Sequence, residues 1–258
     1  MASKNKKGLG QHWLKDREIL TEIAKSAATP GVDTVLEIGP GLGTLTSALF
    51  LYFERVVAVE FDAELARKLP GSFPGKNLEV IAGDILDAVI ELGNQNLPTS
   101  IAMPDKYVVA GNIPYYITAP IVRKFLTLEH KPVKMVLLVQ KEVAERLVAK
   151  APDYSILGLS AQIYANVRLG PVVGREKFSP PPKVDSQVVI FEPYAKPLAD
   201  EKVMKVVRLG FSSPRKKLRN NLGLKDGVLS EVGVDERARP ADLTIPQWKT
   251  IAEYLHKR

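Results

Sequence analysis

A cluster of glycines, Glu37-Ile38-Gly39-Pro40-Gly41-Leu42-Gly43, lies between two short β-branched runs, Val35-Leu36-Glu37-Ile38 and Arg55-Val56-Val57-Ala58-Val59-Glu60. The stretch that joins them, Thr44 to Leu51, carries Leu45, Ala48 and Leu49 at helical spacing. The order is strand, glycine turn, helix, strand, and glycines at the carboxyl end of a parallel strand let a ligand approach the backbone. Two nucleotide loops are excluded by spacing. Thr44 stands where a dinucleotide fingerprint needs its third glycine, and no Gly-Lys-Ser/Thr closes the cluster as in a P-loop. Glu60 ends the second strand, where an acid can accept hydrogen bonds from a ribose diol. Asp84, in Ala82-Gly83-Asp84-Ile85, ends a third strand and can accept from an adenine amino group. Glu60 alone also suits a nicotinamide dinucleotide, so that alternative stays open here.

The alternation continues with strands at Leu78 to Ile81, Tyr107 to Ala110 and Val133 to Val139, and with helices at Ala119 to Leu128 and Lys141 to Val148. Such a rhythm predicts an α/β, doubly wound, mostly parallel sheet. Late strands at Val167 to Leu169 and Val184 to Phe191, joined across Ser179-Pro180-Pro181-Pro182, predict antiparallel closure of one sheet edge. A proline-marked joint at Pro193 to Pro197 precedes short helices at Glu201 to Phe211, Pro214 to Asn221 and Ile245 to Leu255. The expected division is residues 1–195 for the sheet domain and 196–258 for a small all-α domain.

Bulk properties narrow the chemistry. Cysteine is absent, which removes disulfides, thiolate metal sites and thiol nucleophiles. His12, His130 and His256 are scattered, so no metal is expected. No window reaches the ~18 apolar residues of a membrane span and no secretory leader is evident, so a cytoplasmic protein with no membrane partner is expected. The charge is uneven. Five Lys/Arg face two Asp/Glu in residues 1–18 and thirteen face eight in residues 200–258, whereas eighteen face nineteen between them. Basic ends on a near-neutral core suit a polyanion, and a solvated surface is the plain alternative.

Gly111-Asn112-Ile113-Pro114-Tyr115-Tyr116-Ile117 follows the fourth strand and so shares a rim with the glycine loop. Its residue types suit methyl transfer to an aryl amine, whose delocalised lone pair has to be oriented before it attacks in line. The side-chain oxygen of Asn112 and the main-chain carbonyl of Ile113 can accept the two amine N–H groups. Pro114 stiffens the loop and biases Ile113 towards an extended conformation. Tyr115 can stack on the base, and a base inside structured RNA is reached by extrusion. Phe178 is a candidate second aromatic wall, although it and Tyr116 suit core or hinge packing as readily. No general base is required, because the methylated amine is acidic enough to lose its proton to water.

The Glu-x-Gly-x-Gly-x-Gly loop with the acids Glu60 and Asp84 resembles the S-adenosylmethionine-dependent methyltransferases. With Asn112-Ile113-Pro114-Tyr115, the chain resembles the KsgA (RsmA) type of ribosomal RNA small-subunit adenine dimethyltransferases over nearly its whole length. Gly10-Gln11-His12-Trp13-Leu14 is similar to that family's N-terminal motif, with His12-Trp13 replacing its usual Asn-Phe. Phe178 to Ser186 is similar to its late loop, and Phe211 to Leu218 to its basic C-terminal helix. The resemblance implies a Rossmann-like methyltransferase sheet, with S-adenosylmethionine and no metal as cofactor. It implies His12, Leu14, Gly39, Glu60, Asp84 and Asn112 at the cofactor, and catalysis by Asn112, Ile113, Pro114 and Tyr115. It implies RNA contacts from Tyr115, Phe178, Arg215, Lys216, Lys217 and Arg219, the four basic residues on phosphates. The implied reaction is N6,N6-dimethylation of two adjacent adenosines in a hairpin near the 3′ end of small-subunit (16S) rRNA. The implied partner is an immature 30S-type particle, met by a monomer. Two rival readings are a macrolide-resistance-type methyltransferase of large-subunit (23S) rRNA and an assembly factor that acts by binding.

Overall fold

A computed structural model of the protein describes residues 12–93 and 100–256. The basic residues before His12, with Gly10-Gln11 of the N-terminal motif, lie outside the described residues. Two compact units are present, one formed by the chain up to Ala144 with Arg168–Pro193, the other by Glu145–Val167 with Tyr194–Arg258.

The first unit contains β1 (Trp13–Leu14), α1 (Arg17–Ala27), β2 (Thr34–Ile38), α2 (Thr44–Leu49), β3 (Arg55–Glu60), α3 (Ala63–Lys68), β4 (Asn77–Ala82), β5 (Val89–Leu92), β6 (Ser100–Met103), β7 (Val108–Asn112), α4 (Thr118–Thr127) and β8 (Lys134–Gln140). After it come α5 (Lys141–Val148), α6 (Ile156–Tyr164), β9 (Ala165–Val173), β10 (Phe178–Ser179) and β11 (Ser186–Pro193). The seven-stranded sheet runs β4-β3-β2-β7-β8-β11-β9. The first five strands are parallel, and β11 lies antiparallel to β8 from Ser186 opposite Gln140 to Phe191 opposite Met135. The expected mostly parallel sheet with an antiparallel edge is what forms.

Strands read as β-branched runs are buried on both faces, as parallel strands under helices have to be. Val35, Val56, Val108, Val136, Val188 and Ile190 join Leu45 and Leu49 of α2 and Leu20 and Ile23 of α1 in one core. Burying each such aliphatic side chain contributes about 1.5–3 kcal/mol. α1 starts at Asp16, whose carboxylate accepts from the N–H groups of Glu18 and Ile19. Lys177 closes 2.7 Å from the same carboxylate and, with those N–H groups, holds it below its ordinary range.

Chain direction creates the site. From β2 the chain proceeds to β3 and β4 on one side, then returns to place β7 on the other. The carboxyl ends of β2 and β7 therefore flank a switch point, where open α/β sheets bind ligands. Register sharpens this, because Ile38 lies opposite Val59 on one flank and Gly111 on the other. A Cβ at Gly111 would fall 2.9 Å from the Ile38 carbonyl oxygen, so close approach of the two strands there requires glycine.

In the second unit, α6, α7 (Glu201–Gly210), α8 (Leu218–Leu222), α9 (Val228–Glu231) and α10 (Ile245–His256) surround the fully buried Trp248. The compact units differ from a single cut after residue 195. Leu159 and Ile163 of α6 pack with Val203, Met204, Val207 and Ile251, which assigns residues 145–167 to the helical unit. Among the described residues, no helix is long and apolar enough to cross a membrane.

Candidate active site

Each glycine of the loop after β2 adopts a left-handed φ, +64° at Gly39, +57° at Gly41 and +79° at Gly43, a region that side chains disfavour. This curls the chain into the first turn of α2 and turns backbone N–H groups toward the neighbouring strand end. Gly41 N–H donates to Glu60 Oε2 at 2.9 Å, and Asp62 N–H donates to Glu60 Oε1 at 2.9 Å. Burial pushes the Glu60 carboxyl up, while the N–H groups of Asp62, Gly41 and Phe61 hold it down. Asp84 follows β4, and its Oδ1 accepts from Leu86 N–H at 2.8 Å.

Glu37 lies behind this loop, 1% exposed. Thr46 Oγ1 donates to its Oε2 at 2.6 Å, and Oε1 is buried with no partner. Burial, reinforced by the charge of Glu60 and opposed by Thr46, pushes its carboxyl up to about 8. Glu37 is therefore mostly neutral at pH 7.

On the opposite flank, Asn112 Nδ2 donates to the main-chain oxygen of His12 at 3.0 Å. With the amide nitrogen so engaged, the side-chain oxygen is the atom left to accept from a ligand. Pro114 has φ −57° and ψ 133°, and a 3₁₀ turn, Tyr115–Ile117, follows it into α4. Tyr115 Oη pairs with Ser186 Oγ at 2.8 Å. Burial pushes the Tyr115 phenol up, the Ser186 bond opposing it, so this hydroxyl is no proton acceptor near neutrality.

One cleft joins the two flanks. Gly39, Glu60, Asp84, Asn112, Ile113, Pro114, Tyr115 and His12 all line it. Trp13, Phe61, Ile85 and Tyr116 line it too, and sequence reasoning did not assign them to the site. Phe61 was findable only by position, since it directly follows the strand-ending Glu60 on the rim where the cleft lies. Among the described residues, the lining holds two carboxylates and no Lys or Arg. A polyphosphate would meet repulsion here, whereas a cationic, hydroxyl-bearing ligand meets acceptors. S-adenosylmethionine fits that donor set on three counts: a sulfonium charge, a ribose diol for Glu60 and an adenine amine for Asp84.

Other expected site residues fall elsewhere. The Leu14 side chain is fully buried in the core, so any cofactor contact there is limited to its backbone. Phe178 lies beside the cleft. It pairs with Leu14 across the β1–β10 ladder, is 4% exposed and packs in the same core, so its ring is not part of the cleft lining in this structure. Arg215, Lys216 and Lys217 are exposed in the second unit, on a turn ahead of α8 rather than on the expected helix. Asn221 Nδ2 donates to Ser213 O and Lys216 N–H to the same oxygen, which pins that turn. Arg219 pairs with Asp226, so its charge is already met within that unit.

A model of the ribosomal RNA adenine dimethylase family matches residues 2–257. The chain is 38% identical to the Ribosomal RNA small subunit methyltransferase A of Dehalococcoides mccartyi, over 95% of this chain and 87% of that protein. It is 37% identical to the protein of the same name from Crocosphaera subtropica, over 97% and 98%. Among solved structures, a dimethyladenosine transferase from Plasmodium falciparum superposes with a TM-score of 0.77 at 26% identity, covering 95% and 98% of the two chains. The 23S rRNA methyltransferase ErmE gives a TM-score of 0.72 at 28% identity, over 95% and 99%.

Proposed function

The chain belongs to the ribosomal RNA adenine dimethylase family, and on that premise we propose that it dimethylates N6 of two adjacent adenosines in a hairpin near the 3′ end of small-subunit rRNA. It is an S-adenosylmethionine-dependent methyltransferase of Rossmann-like fold. The proposed setting is the cytoplasm, with a monomer acting on an immature 30S-type particle.

The observation that carries the reading is the engaged Asn112 amide, held by His12 O on the rim shared with Gly39 and Glu60. Bound S-adenosylmethionine supplies the electrophilic methyl group. Glu60 would hold its ribose hydroxyls and Asp84 its adenine amine, and the left-handed loop at Gly39 would leave room for it against the backbone. Asn112 Oδ1 and the Ile113 carbonyl would accept the two N–H groups of the target amine and so orient its lone pair for attack. Tyr115 stacks on the base, fixed edge-on by Ser186. A monomethylated adenine presents one N–H fewer and is readmitted for the second transfer, four transfers completing the pair. Arg215, Lys216 and Lys217 hold RNA phosphates.

The test is mass spectrometry of RNA after incubating the protein with isotopically labelled S-adenosylmethionine and immature small subunits. Two neighbouring dimethyladenosines in small-subunit rRNA are expected. In a parallel incubation with large subunits, label in large-subunit rRNA and none in the small subunit would transfer the protein to the type of reaction named for ErmE.

A further inference from the structure

Among its described residues the cleft presents two acids and no Lys or Arg, yet S-adenosylmethionine brings a carboxylate of its own. We propose that the indole N–H of Trp13 donates to that carboxylate, which makes Trp13 a cofactor-binding residue. This rests on S-adenosylmethionine as the methyl donor in the reading above, and not on which RNA is methylated.

A carboxylate drawn out of water needs donors, the more so beside Glu60 and Asp84. The glycine loop has few to offer. Gly39 N–H donates to the Val59 carbonyl oxygen at 2.9 Å and Gly43 N–H to that of Pro40 at 2.9 Å. Gly41 N–H is taken by Glu60, and Pro40 has no N–H at all. Side chains elsewhere in the cleft are engaged as well. Asn112 Nδ2 donates to His12 O, the Tyr115 hydroxyl pairs with Ser186, and His12 Nδ1 lies 2.8 Å from the Pro180 carbonyl oxygen.

Trp13 differs from these. Its backbone is fixed by the ladder with β10, where it lies opposite Ser179, and by Lys15 N–H donating to Lys177 O at 3.2 Å. Its half-buried ring lines the cleft together with Gly39, Pro40 and Gly41. A Cβ at Gly41 would fall 3.2 Å from Trp13 Nε1 and 3.4 Å from Cδ1, so the N–H edge of the indole lies against the glycine loop. Among the described residues, that N–H has no partner. Thr44 lines the same stretch, but a hydroxyl accepts as readily as it donates and would serve the ligand's ammonium equally well. An indole N–H only donates, so it selects the anion. Donation to a charged oxygen also makes the stronger kind of hydrogen bond.

The test is calorimetry on the full-length protein with S-adenosylmethionine and with its decarboxylated form, which lacks only the carboxylate. Trp13→Phe keeps a ring against the loop and removes the N–H. It is expected to weaken S-adenosylmethionine about 10-fold and to leave the decarboxylated form within about twofold of wild type, so that the double cycle isolates the contact. Unchanged binding of the decarboxylated ligand also shows the variant to be folded. A second readout uses wild type alone. The chain has two tryptophans, and in nitrogen-labelled protein the indole resonance of half-buried Trp13 is told from that of fully buried Trp248 by its faster exchange with deuterium. That resonance should move downfield with S-adenosylmethionine and far less with the decarboxylated form. Equal losses for the two ligands, unchanged affinity for both, or an indole resonance that responds alike to both would each overturn the assignment. A wild type that binds neither ligand would bring down the cofactor reading itself. A wild type that binds S-adenosylmethionine, beside a Trp13→Phe variant weakened equally for both ligands, sinks the role of Trp13 alone.

Discussion

Glu37 is a carboxyl group placed where charge is costly, buried behind the glycine loop with one oxygen unpartnered. Its carboxyl is raised from 4.5 to about 8, so between those pH values the folded protein keeps a proton that the unfolded chain has shed. Stability from this group is therefore complete below pH 4.5, declines as pH rises through the window and levels off above about 8. Glu37→Gln keeps the shape and an acceptor for Thr46 but cannot ionise. Denaturation midpoints of the two proteins should lie close at pH 5 and separate by pH 9 in favour of the variant. A gap independent of pH would refute the assignment. At this scale the sequence was only partly legible. The acids Glu60 and Asp84 and the run Asn112 to Tyr115 could be placed because each ends a strand, and strand ends follow from hydrophobic runs. Phe178 could not, since its burial depends on a two-residue ladder with Leu14 that no local pattern announces.

Among the elements, α4 links the two halves of the cleft. Lys124 on α4 donates from Nζ to the carbonyl oxygens of Leu86, at 2.8 Å, and Ala88, at 2.5 Å, in the segment that follows Asp84. Burial lowers the Lys124 ammonium, and the carboxylates of Asp87 and Asp84 counter it. Lys124→Met removes hydrogen bonds from a charged donor, worth about 1.5–3 kcal/mol in total. Chemical denaturation should show a loss of that order, and calorimetry a several-fold weaker affinity for S-adenosylmethionine, as the Asp84 segment loosens. Unchanged cofactor affinity would make Lys124 structural only. Elements with one-sided or continuous apolar runs were legible, β2, β3, β8 and α7 among them. α6 was not, because Gly158, Leu159, Ala161, Gln162 and Ile163 are all buried, and a helix covered on several sides shows no single stripe. The helix expected from Pro214 begins only at Leu218, because the Ser213 carbonyl is taken up in a turn.

For the molecule as a whole, the division of charge noted in the sequence has a measurable consequence. If Arg215, Lys216 and Lys217 neutralise phosphates, replacing all three by Ala should flatten the dependence of log binding constant on log salt by about 2 to 3. Arg219→Ala should change that slope far less, since Asp226 already answers its charge. Filter binding across a salt series reads both, and equal slopes in all three proteins would move the RNA contacts elsewhere. The site itself joins distant parts of the chain. His12 meets Pro180, 168 residues away, and Tyr115 is held by Ser186. During synthesis, the loop for the methyl donor emerges early, but the acceptor side has to wait for the strands that end at Pro193. A nascent chain released before that point should hold no competent pocket, so activity among truncated products should switch on abruptly rather than accumulate with length.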